Sequence, residues 1–101
     1  ETGMVATMVG HVGDGNFHVL PLVDMDDPVD VKRAQDFAER LVIRALAMEG
    51  TCTGEHGVGQ MKMKYLTREF ASPALAAMRA IKHALDPLEI MNPGKVVPPA
   101  A

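Results

Sequence analysis

The chain has 101 residues, of which 48% are hydrophobic and 23% charged, a balance that suits one small globular domain rather than a disordered segment. Its net charge of −3 offers no basic footprint for nucleic acid and no polybasic membrane patch. The lone Cys52 excludes an internal disulfide framework and any cysteine-rich zinc or iron–sulfur site.

No apolar run approaches the roughly 20 residues of a membrane span, and no signal peptide opens the chain. The sequence begins Glu1-Thr2-Gly3 without a Met and enters an apolar run at once, so it reads as a piece of a longer protein. Its expected address is cytoplasmic or peripheral to the membrane. Met4 to Val12 reads as a strand. Asp14-Gly15 then signals a two-residue hairpin turn, in which both positions need positive φ, and Phe17 to Val23 returns as the second strand. Val5, Val9, Leu20 and Leu22 fall on one face, and Met8, Val12, Phe17 and Val19 on the other. A hairpin apolar on both faces requires cover on both. Helices of this chain can supply one side, so the fragment is expected to self-associate through the other.

A helix starts at Asp27-Pro28, with Asp27 as N-cap, Pro28 in the first turn and Asp30 at the positive end of the dipole. Apolar residues recur at helical spacing from Val31 to Met48, and Gly50 is expected to close the helix. A glycine-rich loop runs from Thr51 to Gln60, followed by a short helical segment near Met61 to Phe70. Ser72-Pro73 is expected to cap the last helix, with Leu75, Met78, Ile81, Lys82 and Leu85 on its buried side and an end before Pro87. The remainder is rich in Pro and Gly.

The histidines are the place to look for chemistry. Across a turn at Asp14-Gly15, His11 and His18 stand directly opposite each other, with Cβ atoms about 4.5–5.5 Å apart. That separation suits a shared metal, whose nitrogen ligands lie about 2.0–2.1 Å away for zinc. Ordinary strand histidines explain the same pair. Glu55 in the glycine-rich loop offers a third ligand, and adjacent side chains of an extended loop diverge, which leaves His56 as an acid/base of suitable type. A solvated loop is the plain alternative. His83 beside Lys82 in a last helical turn is explained by the dipole. Cys52 is expected to be a small buried residue rather than a nucleophile.

Three ordered motifs, Gly10-His11-Val12-Gly13-Asp14-Gly15-Asn16-Phe17-His18, Gly50-Thr51-Cys52-Thr53-Gly54-Glu55-His56-Gly57-Val58-Gly59, and Asp86-Pro87 with Met91-Asn92-Pro93-Gly94-Lys95, together resemble the C-terminal part of FAD-linked oxidases of the vanillyl-alcohol-oxidase type. The likeness is strongest to cytochrome-linked D-lactate dehydrogenases and the flavoprotein subunit of glycolate oxidase. One departure is Met61, where such relatives tend to carry Gly. The resemblance implies an α+β fold, an antiparallel sheet with helices on one face, as the remnant of a ferredoxin-like cap. Residues 1–90 would end the substrate cap, and 91–101 would form a tail returning to the flavin. It also implies oxidation of a small D-2-hydroxy acid, with FAD bound mainly by the missing domain upstream and a cytochrome or quinone as electron acceptor. His11, His18 and Glu55 would hold a divalent metal (zinc or manganese), His56 would be the base, Asn16 would touch substrate, and Asn92 and Lys95 would lie at the flavin. A metal-dependent hydrolase using His11, His18 and Glu55, and a non-catalytic ligand-sensing module, are the rival readings.

Overall fold

The computed structural model describes residues 2–100; Glu1 and Ala101, at the two ends, lie outside the described residues. The chain is α+β and forms two compact units that divide between Glu49 and Gly50.

The first unit contains an antiparallel hairpin, β1 (Ala6–His11) and β2 (Asn16–Pro21), and a long helix, α1 (Pro28–Ala47). The expected hairpin forms, but not with the expected turn. Val12–Asp14 makes a short 3-10 turn, Gly15 alone takes positive φ (71°), and its N–H donates to Val12 O at 3.0 Å. A two-residue turn of the type that suits a twisted hairpin would have forced Asp14 to positive φ as well; the longer turn concentrates that demand on a glycine. His11 therefore pairs with Asn16, Gly10 with Phe17 and Val9 with His18. Each partner has moved by two residues, so every side chain keeps its face. Val5, Val9, Leu20 and Leu22 share one face, and Met8, Phe17 and Val19 the other, while Val12 lies in the turn. Large apolar residues are exposed on both faces, including Met8 at 73% and Val9 at 59%.

Aspartates build the start of α1. Asp27 accepts from the Val29 N–H at 2.9 Å as the N-cap, and Asp30 accepts from the Asp24 N–H at 2.8 Å. Asp24 in turn accepts from the Asp26 N–H, a local Asx turn. Surface pairs Lys32–Asp36 and Arg33–Asp30 add little stability. At the far end the left-handed position falls on Glu49 (φ 61°), one residue before the glycine expected to fill it. No α1 side chain is fully buried.

The second unit holds α2 (Met63–Glu69) and α3 (Ser72–Leu85). Its core is Cys52, Tyr65, Leu66 and Leu75, with Pro98 of the tail also buried. Ala71, not Ser72, is the N-cap of α3: its carbonyl accepts from Ala74 and Leu75, and Ser72 is the first helical residue. The expected buried side of α3 is also corrected. Ile81 and Leu85 are exposed (62% and 78%), and the inward stripe continues from Leu75 through half-buried Met78, Arg79 and Lys82 to buried Asp86. The Asp86 carboxylate pairs with Lys82 and accepts from the Ile90 and Met91 N–H groups at 3.0 Å each. Lys82 also donates to Met91 O at 2.6 Å, and Arg79 to Pro98 O at 3.3 Å. The stripe is polar because it meets the backbone of the tail.

Two outcomes are expected. At Gly10 (φ 149°) an added Cβ would lie 2.7 Å from Phe17 Cα and 2.8 Å from Asn16 O, both backbone atoms. Gly10→Ala should cost at least about 1–3 kcal/mol in denaturant melts, whereas Gly13→Ala, with open space around it, should be near neutral. The hydrogen bond and charge of Lys82, with the two amides, hold Asp86 below the usual carboxylate range. Its contribution is present above the ordinary Asp range and is lost as pH falls through that lowered value. Melting temperatures from pH 7 to 3 should fall more steeply in wild type than in Asp86→Asn.

Candidate functional site

His11, Asn16 and His18 share one face of the hairpin. His11 and Asn16 are direct partners, and His18 is the diagonal neighbour of His11 through its pairing with Val9. The two imidazoles are therefore not directly opposite, as the two-residue turn implied. Diagonal backbone positions lie about 7–8 Å apart, still within reach for long side chains. Asn16 and His18 are half-buried, and His11 is exposed. The backbone of Gly10, one register row from the His11–Asn16 pair, runs against Phe17 and Asn16 with no room for a Cβ.

The glycine-rich loop is more ordered than its composition suggests. The Gly57 N–H donates to Gly54 O at 3.1 Å, closing a turn with Glu55 and His56 at its two corners. The half-buried Thr53 hydroxyl donates to Gly57 O at 2.6 Å and braces the turn from one side. Gly57 and Gly59 take positive φ, at 77° and 55°. Glu55 and His56 are exposed, and a carboxylate oxygen of one lies within 4.8 Å of a ring nitrogen of the other. The divergence expected of an extended loop does not occur, because a turn brings its corner side chains together. Met61 is 84% exposed and does not take positive φ, so this position does not require a glycine.

The tail reaches the loop directly. The Val96 N–H donates to Gly59 O at 2.8 Å, and the Val97 N–H to Lys95 O at 2.8 Å, closing a three-residue turn about Val96 at φ 67°. Asn92 (φ 47°) and Lys95 are exposed on either side of Pro93-Gly94. His83 sits in the last turn of α3 with Lys82. A shallow depression along α1, lined by Thr2, Phe37, Arg40, Leu41, Arg44 and Ala47, contains none of the histidines or carboxylates discussed above. Thr53 and Asp86 act as structural partners that sequence pattern does not single out. Their only signals were a hydroxyl four residues before a glycine and an acid before a proline.

Cys52 behaves as a buried structural residue. Burial, and then the hydrogen bond and charge of Glu69, push its thiol up to about 11. Burial acts to raise Glu69, but hydrogen bonds from the Cys52 N–H, Thr51 and Cys52 side chains outweigh it and hold the carboxyl below its usual value. The Cys52 N–H contact is 2.9 Å.

Residues 1–96 match the family described as FAD linked oxidases, C-terminal domain. The chain is 52% identical over 95% of its length to a protein of Danio rerio named probable D-lactate dehydrogenase, mitochondrial. It is 47% identical over 97% of its length to a mitochondrial D-lactate dehydrogenase [cytochrome] of Arabidopsis thaliana, and 40% identical over 86% to the glycolate oxidase subunit GlcD of Bacillus subtilis. It spans only 19%, 17% and 18% of the lengths of these three relatives. No helix among the described residues is long and apolar enough to cross a membrane.

A thiol held this high stays protonated at neutral pH, and the thiolate is the reactive form. Cys52 should react with iodoacetamide at pH 8 at least tenfold more slowly than free cysteine, and denaturation should abolish the difference. Fast native-state alkylation would show that the thiol is not shielded.

Proposed function

The chain belongs to the FAD linked oxidases, as their C-terminal domain, and from that premise we propose that it is the substrate- and metal-binding end of a flavin-dependent dehydrogenase. The substrate is a small D-2-hydroxy acid of the D-lactate or glycolate type, and the product is its 2-oxo acid. Residues 1–90 close the substrate cap and 91–101 return to the flavin, which the remainder of the parent holds. The electron acceptor is a cytochrome or quinone.

The observation that best supports this reading is the Gly54–Gly57 turn, which carries an exposed carboxylate and an exposed imidazole at adjacent corners within 4.8 Å. The hairpin adds two imidazoles and an amide on one face. This donor set suits a zinc- or manganese-class ion, with His11, His18 and Glu55 as ligands. Flavin held by the remainder of the parent would supply a hydride acceptor, and a divalent metal held by His11, His18 and Glu55 would supply Lewis-acid polarisation of the substrate. His56 takes the hydroxyl proton on a ring nitrogen as the Cα hydrogen leaves with its electron pair. Asn16 orients the substrate from the hairpin face by hydrogen bonding. Asn92 and Lys95 offer an amide and an ammonium toward the flavin side. The hydrolase and ligand-sensing readings draw no support from family or relatives. Severed from its parent, the fragment covers its exposed hairpin faces by self-association.

In the full-length parent, His56→Ala should lower kcat by about 10²–10⁴-fold while flavin and metal contents stay near wild type. His11→Ala should lose metal first and activity with it. Steady-state kinetics with D-lactate and glycolate, and metal measured on the same samples, check both. Turnover within a few-fold of wild type in His56→Ala would remove it as the base.

A further inference from the structure

The exposed turn of Glu55 and His56 is held to α3 by a chain of hydrogen bonds that runs through the tail. Asp86 and Lys82 fix Ile90 and Met91, and Arg79 fixes Pro98. Between those two anchors the Val96 N–H donates to Gly59 O, which follows the turn by two residues. Val96 itself is a β-branched residue at φ 67°. Such a conformation persists only where its surroundings over-determine it, and here both flanks of the strained residue are tied to one helix. The ties come from the polar stripe of α3, at positions where a helix packed only on apolar neighbours would carry Leu or Ile.

We propose that Arg79, Lys82 and Asp86 are positioning residues for the Glu55–His56 turn, acting through the tail segment 90–98. The inference rests on the assignment of Glu55 and His56 to the reacting site and adds the group of residues that sets their placement. The mechanism is geometric. If Ile90 and Met91 are released, Val96 relaxes to negative φ, its N–H leaves Gly59 O, and the glycine-flanked turn loses its seat. A shift of about 1 Å at an acid/base group can cost on the order of 10²-fold in rate.

The test uses the full-length parent flavoprotein with Asp86→Asn, Lys82→Met, Lys82→Arg and Arg79→Met. Amide hydrogen exchange is followed in peptides covering 53–60 and 88–98, beside substrate-driven flavin reduction. Asp86→Asn and Lys82→Met should speed exchange in both peptides and slow flavin reduction about 10- to 100-fold, with KM within about twofold. Lys82→Arg should restore most of the rate. Arg79→Met, which leaves the Asp86 cluster intact, should loosen both peptides to a smaller degree, and it decides the matter if Asp86→Asn does not fold. Faster exchange in 88–98 with unchanged exchange in 53–60 and unchanged flavin reduction would overturn the proposal. A wild-type parent that oxidises neither D-lactate nor glycolate would instead refute the proposed function. The 53–60 exchange would then still decide whether α3 sets the turn.

Discussion

The carboxylate of Asp86 accepts from Lys82 and from two successive backbone amides, and the course of the second unit follows from that convergence. A chain leaving a helix at Asp-Pro could run on into solvent, since proline cannot continue the hydrogen-bond ladder. Here a buried acid at the helix end takes up the Ile90 and Met91 N–H groups, which turns the chain back. Lys82 satisfies the acid and also donates to Met91 O. The tail then passes close enough to Gly59 for Val96 to donate to it. A polar cluster thus does what apolar packing does in larger domains.

That substitution is consistent with how little apolar packing the unit possesses. Cys52, Tyr65, Leu66, Leu75 and Pro98 are the buried apolar side chains among the described residues, too few to specify one arrangement of a long Pro- and Gly-rich tail. Hydrogen bonds are directional, and a buried polar group left unmade is costly. The tail therefore has one well-defined path with few apolar contacts. Ile81, Leu85, Leu88 and Ile90, close to this cluster in sequence, are exposed and do not contribute to the core. They show that apolar character alone does not define the inner face of α3.

The helices and the α+β class were legible because their signals are local. Asp27-Pro28 combines a side-chain acceptor with a fixed φ at the first turn, and α1 starts there. The motifs of the hairpin, the glycine-rich loop and the tail were likewise legible, and through them the family. What was not legible depended on partners distant in sequence or on competing turn geometries. Asp14-Gly15 satisfies one hairpin turn by composition, but Asp14 gains nothing from positive φ when Gly15 can take it alone. Counting apolar positions on α3 pointed to Ile81 and Leu85, because nothing local reveals that a returning tail presents carbonyls and amides to Arg79, Lys82 and Asp86. The Glu55–His56 turn escaped notice for the same reason: its brace is a hydroxyl bonding to a carbonyl, which no periodicity records.

The hairpin register also shows how the histidine pair responds to its turn. Residues i and j of an antiparallel pair share a face whenever their sum has the parity of the register. The observed partners sum to an odd number, as do His11 and His18. Any turn of even length drawn from this sequence keeps both imidazoles on one side, at closer or wider spacing. A three- or five-residue turn would send them to opposite sides. The shared face of the two imidazoles thus survives every even turn, at a spacing the turn sets, and is lost with every odd one, a rule of arithmetic imposed by a pleated backbone.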